Sequence, residues 1–194
     1  DRGNVTPIEG STVLVIGLGD IGGDFARKCK ALGAYTIGVR RSDLRKPDYV
    51  DELYLSDTID ELLPRADTVA LCLPGTPETE HIIDGARLAK MKEGAILLNI
   101  GRGSAVDTDA LCDAVESGSI FAAGLDVTDP EPLPPGHRMW KVENILITPH
   151  ISGFFHLHAT YERIVAIAAN NLARYISGEA LHNIVDFSTG YRKL

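Results

Sequence analysis

The chain has 194 residues, 19 of them Lys or Arg and 27 Asp or Glu, for a formal net charge of −8. With 44% hydrophobic and 24% charged residues it has the balance of a globular domain, which argues against disorder. The acidity argues against a nucleic-acid partner, which needs a positive field, and no run approaches the roughly 18 apolar residues of a membrane span.

The charge is unevenly spread. Residues 40–46 (RRSDLRK) carry four bases and one acid, whereas residues 48–61 carry six acids and no base. No signal peptide and no Met opens the chain at Asp1, so a truncated or processed piece is expected. Cys29, Cys72 and Cys112 form no CxxC pair and have no metal-ligand spacing. They read as reduced core thiols of a cytoplasmic protein, with no metal.

Short runs rich in Val, Ile and Leu alternate with helical stretches along the chain. The runs predict strands at Thr12–Ile16, Tyr35–Val39, Thr68–Cys72, Ala95–Ile100, Ala122–Val127 and Ile145–Thr148. They lack polar alternation, so each is expected to be covered on both faces, as in a parallel sheet. Helices are expected at Ile21–Leu32, Ile59–Leu63, within Thr79–Met91 and at Thr108–Ser117. The proline-dense segment Pro130–Pro135 must be an extended loop. A long helical pattern follows from Leu157 to Ser177, with Gly178 suited to its C-terminal stop. The tail from Asn183 to Leu194 is expected to be extended and loosely held. The fold class is therefore α/β, a doubly wound parallel sheet of the Rossmann kind. Residues 1–182 would form one domain ending in the long helix, with 183–194 as the tail.

Gly17-Leu18-Gly19-Asp20-Ile21-Gly22 matches the pattern GxGxxG, between the first predicted strand and the first predicted helix. In that context Gly17 permits a tight turn, Gly19 admits a pyrophosphate and Gly22 lets helix and strand pack closely. The N–H groups at the helix start would face the diphosphate of a dinucleotide. An acid that would bind the ribose of NAD is missing from the end of the second strand, which runs into Arg40-Arg41-Ser42. An arginine pair suits a 2′-phosphate, so NADP(H) is favoured, with NAD(H) as the other possibility.

Ligands of an open parallel sheet bind beyond the carboxyl ends of its strands. There the sequence places Arg102 between two glycines, Asp126, Asp129 and Glu131 in the proline loop, and His150 before Ser152-Gly153. One cation, carboxylates and an imidazole on one rim suit an acid–base step on an anionic substrate. His81, His137 and His182 read as surface residues, and His156 and His158, two apart on a helix, face different ways and do not make a metal site.

The segments GLGDIGG, LPGTPET, NIGRGSAVD, GLDVTDPEPLP and TPHISG, in this order, resemble the D-isomer-specific 2-hydroxyacid dehydrogenases, among them the glyoxylate/hydroxypyruvate reductases and phosphoglycerate dehydrogenases. The resemblance implies an NAD(P)-linked oxidoreductase that interconverts small 2-oxo acids and (R)-2-hydroxy acids. It implies that Arg102 binds the substrate carboxylate, that His150 is the general acid and that Glu131 pairs with His150. Asp126 would face the nicotinamide carboxamide, and Asp20 and Ile21 the diphosphate. Leu73, Pro74, Thr79, Ile100 and Gly101 would line the cofactor groove, with Ser152 and Gly153 leaving room for the nicotinamide. In that family a second domain, split between the two ends of the chain, closes the site. Only about 11 residues precede the first predicted strand, so weak turnover by these residues alone is expected. A homodimer is implied in the same way. A nucleotide-sensing binding protein of the co-repressor type is the alternative function.

Overall fold

A computed structural model describes residues 7–42, 45–153, 157–187 and 191–192, the last two by backbone alone. Residues 43 and 44 of the basic island, His156 and parts of the tail lie outside the described residues. The chain divides into two compact units, residues 1–152 and 153–194.

The first unit is built on seven parallel strands. They are β1 (Thr12–Ile16), β2 (Tyr35–Arg40), β3 (Glu52–Leu55), β4 (Thr68–Leu71), β5 (Ala95–Asn99), β6 (Ile120–Leu125) and β7 (Ile145–Ile147). Their order is β3-β2-β1-β4-β5-β6-β7, so the chain starts in the middle, winds outward one way and then returns to wind the other. This is the doubly wound arrangement expected, with the reversal between β1 and β4. The helices are α1 (Asp20–Ala31), α2 (Ile59–Leu62), α3 (Gly85–Leu88) and α4 (Thr108–Glu116). Asp84 and Asp107 cap α3 and α4 by accepting from the backbone N–H groups of Arg87 and Ala110.

Burial explains the apolar runs. In β1, Leu14 and Ile16 join the larger core with Val69, Leu71, Leu97 and Leu111, while Val13 and Val15 join a smaller one with Ala26 and Cys29 of α1. Both faces of the central strands are therefore covered, as expected of a parallel sheet. At the far edge the expectation fails: Leu146 in β7 is 69% exposed, and Ile145 and Ile147 are only half-buried. The α1-side core extends only as far as Ala70, Cys72 and Leu98.

The sequence pattern also misses a strand. β3 pairs with β2 from Ile37–Glu52 to Arg40–Leu55, inside the acidic stretch. Its acids are neutralised locally. Asp51 accepts from the Thr36 N–H (2.8 Å) and pairs with Lys30 (2.5 Å). Glu52 takes Arg65, the Tyr35 hydroxyl (2.6 Å) and the Tyr54 hydroxyl, and these donors hold its carboxyl down at about 2.

The second unit contains α5 (His158–Ile176) and a two-residue antiparallel ladder of β8 (Val185–Asp186) with β9 (Tyr191–Arg192). No residue of α5 is buried. Gly178 has φ +71° and ends the helix in the left-handed region. Just before the expected tail, the Asn171 side chain donates to the His182 carbonyl (3.1 Å) and accepts its N–H (2.8 Å). Among the described residues no helix is long and apolar enough to cross a membrane.

Candidate active site

The carboxyl ends of β1, β2, β4, β5, β6 and β7 lie on one rim, and the residues singled out in the first unit stand at or just after those ends. Gly17, with φ +101°, makes the turn after β1, and a Cβ there would meet the Cys72 carbonyl oxygen at 2.6 Å. A Cβ on Gly22 would lie 2.0 Å from the Gly17 carbonyl oxygen, so both positions are closed to any side chain by packing. Gly19 differs: nothing stands within 4 Å of its Cβ position. Its lack of a side chain has no internal packing reason and leaves open space above the start of α1. No side chain caps that helix end, and Gly23 N–H donates to the Gly19 carbonyl (2.8 Å) as the helix begins. The N–H groups of Asp20, Ile21 and Gly22 therefore face the opening, which fits a diphosphate.

Next to this turn, β2 ends in half-buried Arg40 and exposed Arg41 and Ser42. The buried Nε of Arg40 has no hydrogen-bond partner, and its Nη1 reaches the Arg45 carbonyl at 3.4 Å. On the other side of β1, the turn after β4 carries Glu78. The Thr76 hydroxyl, its own backbone N–H and the Arg41 charge lower its carboxyl. Leu73 and Pro74 are half-buried in this turn. Thr79 was expected to line the groove; its hydroxyl is instead spent on the turn, donating to the Pro74 carbonyl (2.7 Å) and accepting the Thr76 N–H (2.9 Å). Cys72 sits behind the glycine turn, where burial pushes its thiol up to about 11.

After β5, Ile100 still bonds the Leu71 carbonyl (3.1 Å), and Gly101 turns the chain outward. A Cβ on Gly101 would lie 2.4 Å from the Leu73 oxygen and one on Gly103 would lie 1.9 Å from the Thr128 oxygen. Arg102 stands between them, exposed and extended, with Nη1 on the Gly101 carbonyl at 2.7 Å.

The loop after β6 is anchored by buried Leu133, and its Asp129–Pro130 and Glu131–Pro132 peptide bonds are cis. It brings Glu131 Oε1 to 2.7 Å from His150 Nδ1. His150 has φ +52°, an unfavourable region for a non-glycine residue that its surroundings must hold in place.

Asp126 does that holding. It is 5% exposed and accepts from Thr148 Oγ1 (2.6 Å), Ile151 N–H (3.0 Å), Ser152 N–H (3.0 Å) and the Ser152 hydroxyl. Burial would raise its carboxyl, but these donors outweigh burial and hold it down at about 2. Two donors on each oxygen fill its acceptor positions. Asp126, expected to face a cofactor amide, and Ser152, expected to leave room for the nicotinamide, together clamp the segment carrying His150. Gly153 falls in the second unit.

Residues 1–152 match the family model described as D-isomer specific 2-hydroxyacid dehydrogenase, NAD binding domain. The chain belongs to this family.

Relatives agree. The chain is 37% identical over 182 residues to a glyoxylate reductase of Korarchaeum cryptofilum, covering 92% of this chain and 53% of that protein. It is 37% identical over 171 residues to a human glyoxylate reductase/hydroxypyruvate reductase, covering 88% and 52%. Among solved structures, the NADPH-dependent glyoxylate/hydroxypyruvate reductase of Sinorhizobium meliloti, in complex with NADP and sulfate, aligns with a TM-score of 0.87 at 32% identity, covering 98% of this chain and 60% of that one. The chain thus spans about half the length of the curated relatives it matches. In this dehydrogenase family member Asn99 and Thr148 open the segments NIGRGSAVD and TPHISG with no role assigned to either, and Thr148 donates to Asp126. Asn99 left one signal, a lone amide at the end of the apolar run AILLN.

Proposed function

We propose that this chain forms the cofactor-binding part of a reductase for a small 2-oxo acid, yielding the (R)-2-hydroxy acid, with NADP(H) preferred over NAD(H). The observation that carries the reading is the Glu131–His150 pair on the same rim as the glycine turn. The open space at Gly19 and the uncapped start of α1 fit the cofactor diphosphate. Arg40, Arg41 and Ser42 would take the 2′-phosphate, which suits the unpartnered Arg40 Nε. Leu73, Pro74, Ile100 and Gly101 would line the groove. Bound there, the reduced nicotinamide supplies the hydride.

The chain's own groups do the rest. Arg102 binds the substrate carboxylate and polarises the 2-oxo group through charge-assisted hydrogen bonds. Glu131 fixes a proton on His150 Nδ1 and orients the ring, leaving Nε2 to deliver a proton to the carbonyl oxygen. Asp126 and Ser152 keep His150 in its left-handed conformation, and Gly153 follows as a residue without a side chain to obstruct the nicotinamide. The tail 183–194 leads toward the part of the protein that closes the site, and the protein acts as a homodimer. The relatives named above are reductases, which supports an enzyme over a nucleotide sensor.

Substituting His150→Gln in the whole natural protein tests the reading. Turnover of glyoxylate or hydroxypyruvate should fall by about 10²–10⁴-fold with NADPH affinity retained. Undiminished turnover would overturn it.

A further inference from the structure

Asn99 is the last residue of β5 and the only polar one in the run AILLN, yet it is 1% exposed. A buried amide is costly unless its hydrogen bonds are met. Its Oδ1 accepts the Gly101 N–H at 3.1 Å, and its Nδ2 donates to the Arg102 carbonyl at 2.9 Å. Its own backbone carbonyl accepts the Asp126 N–H at 3.0 Å, from the end of the neighbouring strand.

The placement of these bonds matters. Regular pairing of β5 ends with Asn99 opposite Leu71 and Leu125. Beyond it, the Asn99 amide takes the place of a strand partner for the chain that turns outward. It holds the 100–101 peptide by its N–H and the 102–103 peptide by its C=O. The peptide between these two carries the Gly101 carbonyl on which the Arg102 guanidinium rests at 2.7 Å. Arg102 Cγ lies beside Gly75, 3.2 Å from where a Cβ on that glycine would be. The Arg102 carbonyl is shared with the Ala105 N–H at 3.1 Å, so the arginine backbone is held from both sides.

The geometry points to Asn99 as the positioning residue for Arg102, aiming its guanidinium at the substrate carboxylate by bracketing the peptide on which it rests. This rests on the reading of Arg102 as the carboxylate binder. An aspartate at 99 would set an oxygen against the Arg102 carbonyl and bury an unpaired charge. A leucine would fill similar space and supply neither bond.

The test is a double-mutant cycle on the whole natural protein, using Asn99→Leu and Arg102→Met with hydroxypyruvate as the varied substrate. Asn99→Leu should raise KM about tenfold and lower kcat, since Arg102 also polarises the 2-oxo group, while the NADPH Kd stays within about twofold. In the Arg102→Met background the same change should add almost nothing, because the group it positions is gone. A fully additive effect, an unchanged KM in the single variant, or a NADPH Kd that moves as far as KM would overturn the inference. An Arg102→Met protein with an unchanged KM would instead sink the Arg102 reading itself. Circular dichroism and NADPH binding report folding, and Asn99→Ser repeats the cycle with a smaller side chain should the leucine not fold.

Discussion

Glu131 Oε1 lies 2.7 Å from His150 Nδ1, although the two residues belong to loops that follow different strands. The carboxylate comes from a proline-rich loop anchored by Leu133, the imidazole from a segment clamped by Asp126. Asp126 immediately follows β6, so the strand end that launches the Glu131 loop also fixes the His150 segment.

Removing the charge without the shape should separate orientation from electrostatics. Glu131→Gln keeps an oxygen that accepts from Nδ1–H, so kcat should fall about tenfold; Glu131→Ala should cost about a hundredfold. The NADPH Kd should stay put in both. Steady-state kinetics with parallel cofactor titration checks this, and an alanine variant no worse than the glutamine one would contradict it.

Asp126 predicts a pH dependence of stability. Its carboxyl is held at about 2 in the folded chain, below the ordinary value of about 3.9 in an unfolded one. A depressed value stabilises the fold above the unfolded value and is lost as pH falls through the folded one. The contribution, about 2 kcal/mol at neutral pH, should vanish between about pH 4 and pH 2. Asp126→Asn should accordingly be less stable than the natural chain at pH 7. The gap should close over that acid window in denaturant titrations.

The glycine turn offers a paired control. Gly22→Ala puts a methyl 2.0 Å from the Gly17 oxygen and should destabilise the fold by at least about 3 kcal/mol. Gly19→Ala meets nothing within 4 Å and should change stability by less than about 1 kcal/mol. It should nevertheless weaken NADPH binding at least tenfold. Thermal melts set beside fluorescence titrations distinguish the two.

Cofactor choice should follow the arginines. Replacing Arg40 and Arg41 together by alanine should raise the NADPH Kd roughly 30-fold through lost charge-assisted hydrogen bonds. The NADH Kd should move less than about threefold. Equal losses for both cofactors would place the arginines outside the 2′-phosphate site.

Much of the architecture was legible because parallel strands buried on both faces must be continuous apolar runs. Thr12–Ile16, Tyr35–Arg40 and Thr68–Leu71 appear where their composition put them. β3 was illegible for a complementary reason. Its edge position lets Asp51 and Glu52 pair with Lys30 and Arg65, so it looks like a solvated acidic stretch. Thr79 and Asp126 carry internal hydrogen bonds that their places in the motifs did not announce. Their oxygens are spent on the turns they stabilise.

The sequence by itself determined the alternation of strand and helix, the glycine turn and the family motifs, since those depend on local spacing and on residue type. It also located the basic island beside a predicted strand end. Only the tertiary structure decided how closely Glu131 approaches His150 and that Asp126 clamps the segment carrying the imidazole. Those are contacts between loops from separate strands, 19 residues apart for Glu131 and His150 and 25 or 26 for Asp126 and its clamp on Ile151 and Ser152. Side-chain type limits which hydrogen bonds a residue can make. The parallel register, by bringing the strand ends together, selects the ones it does make.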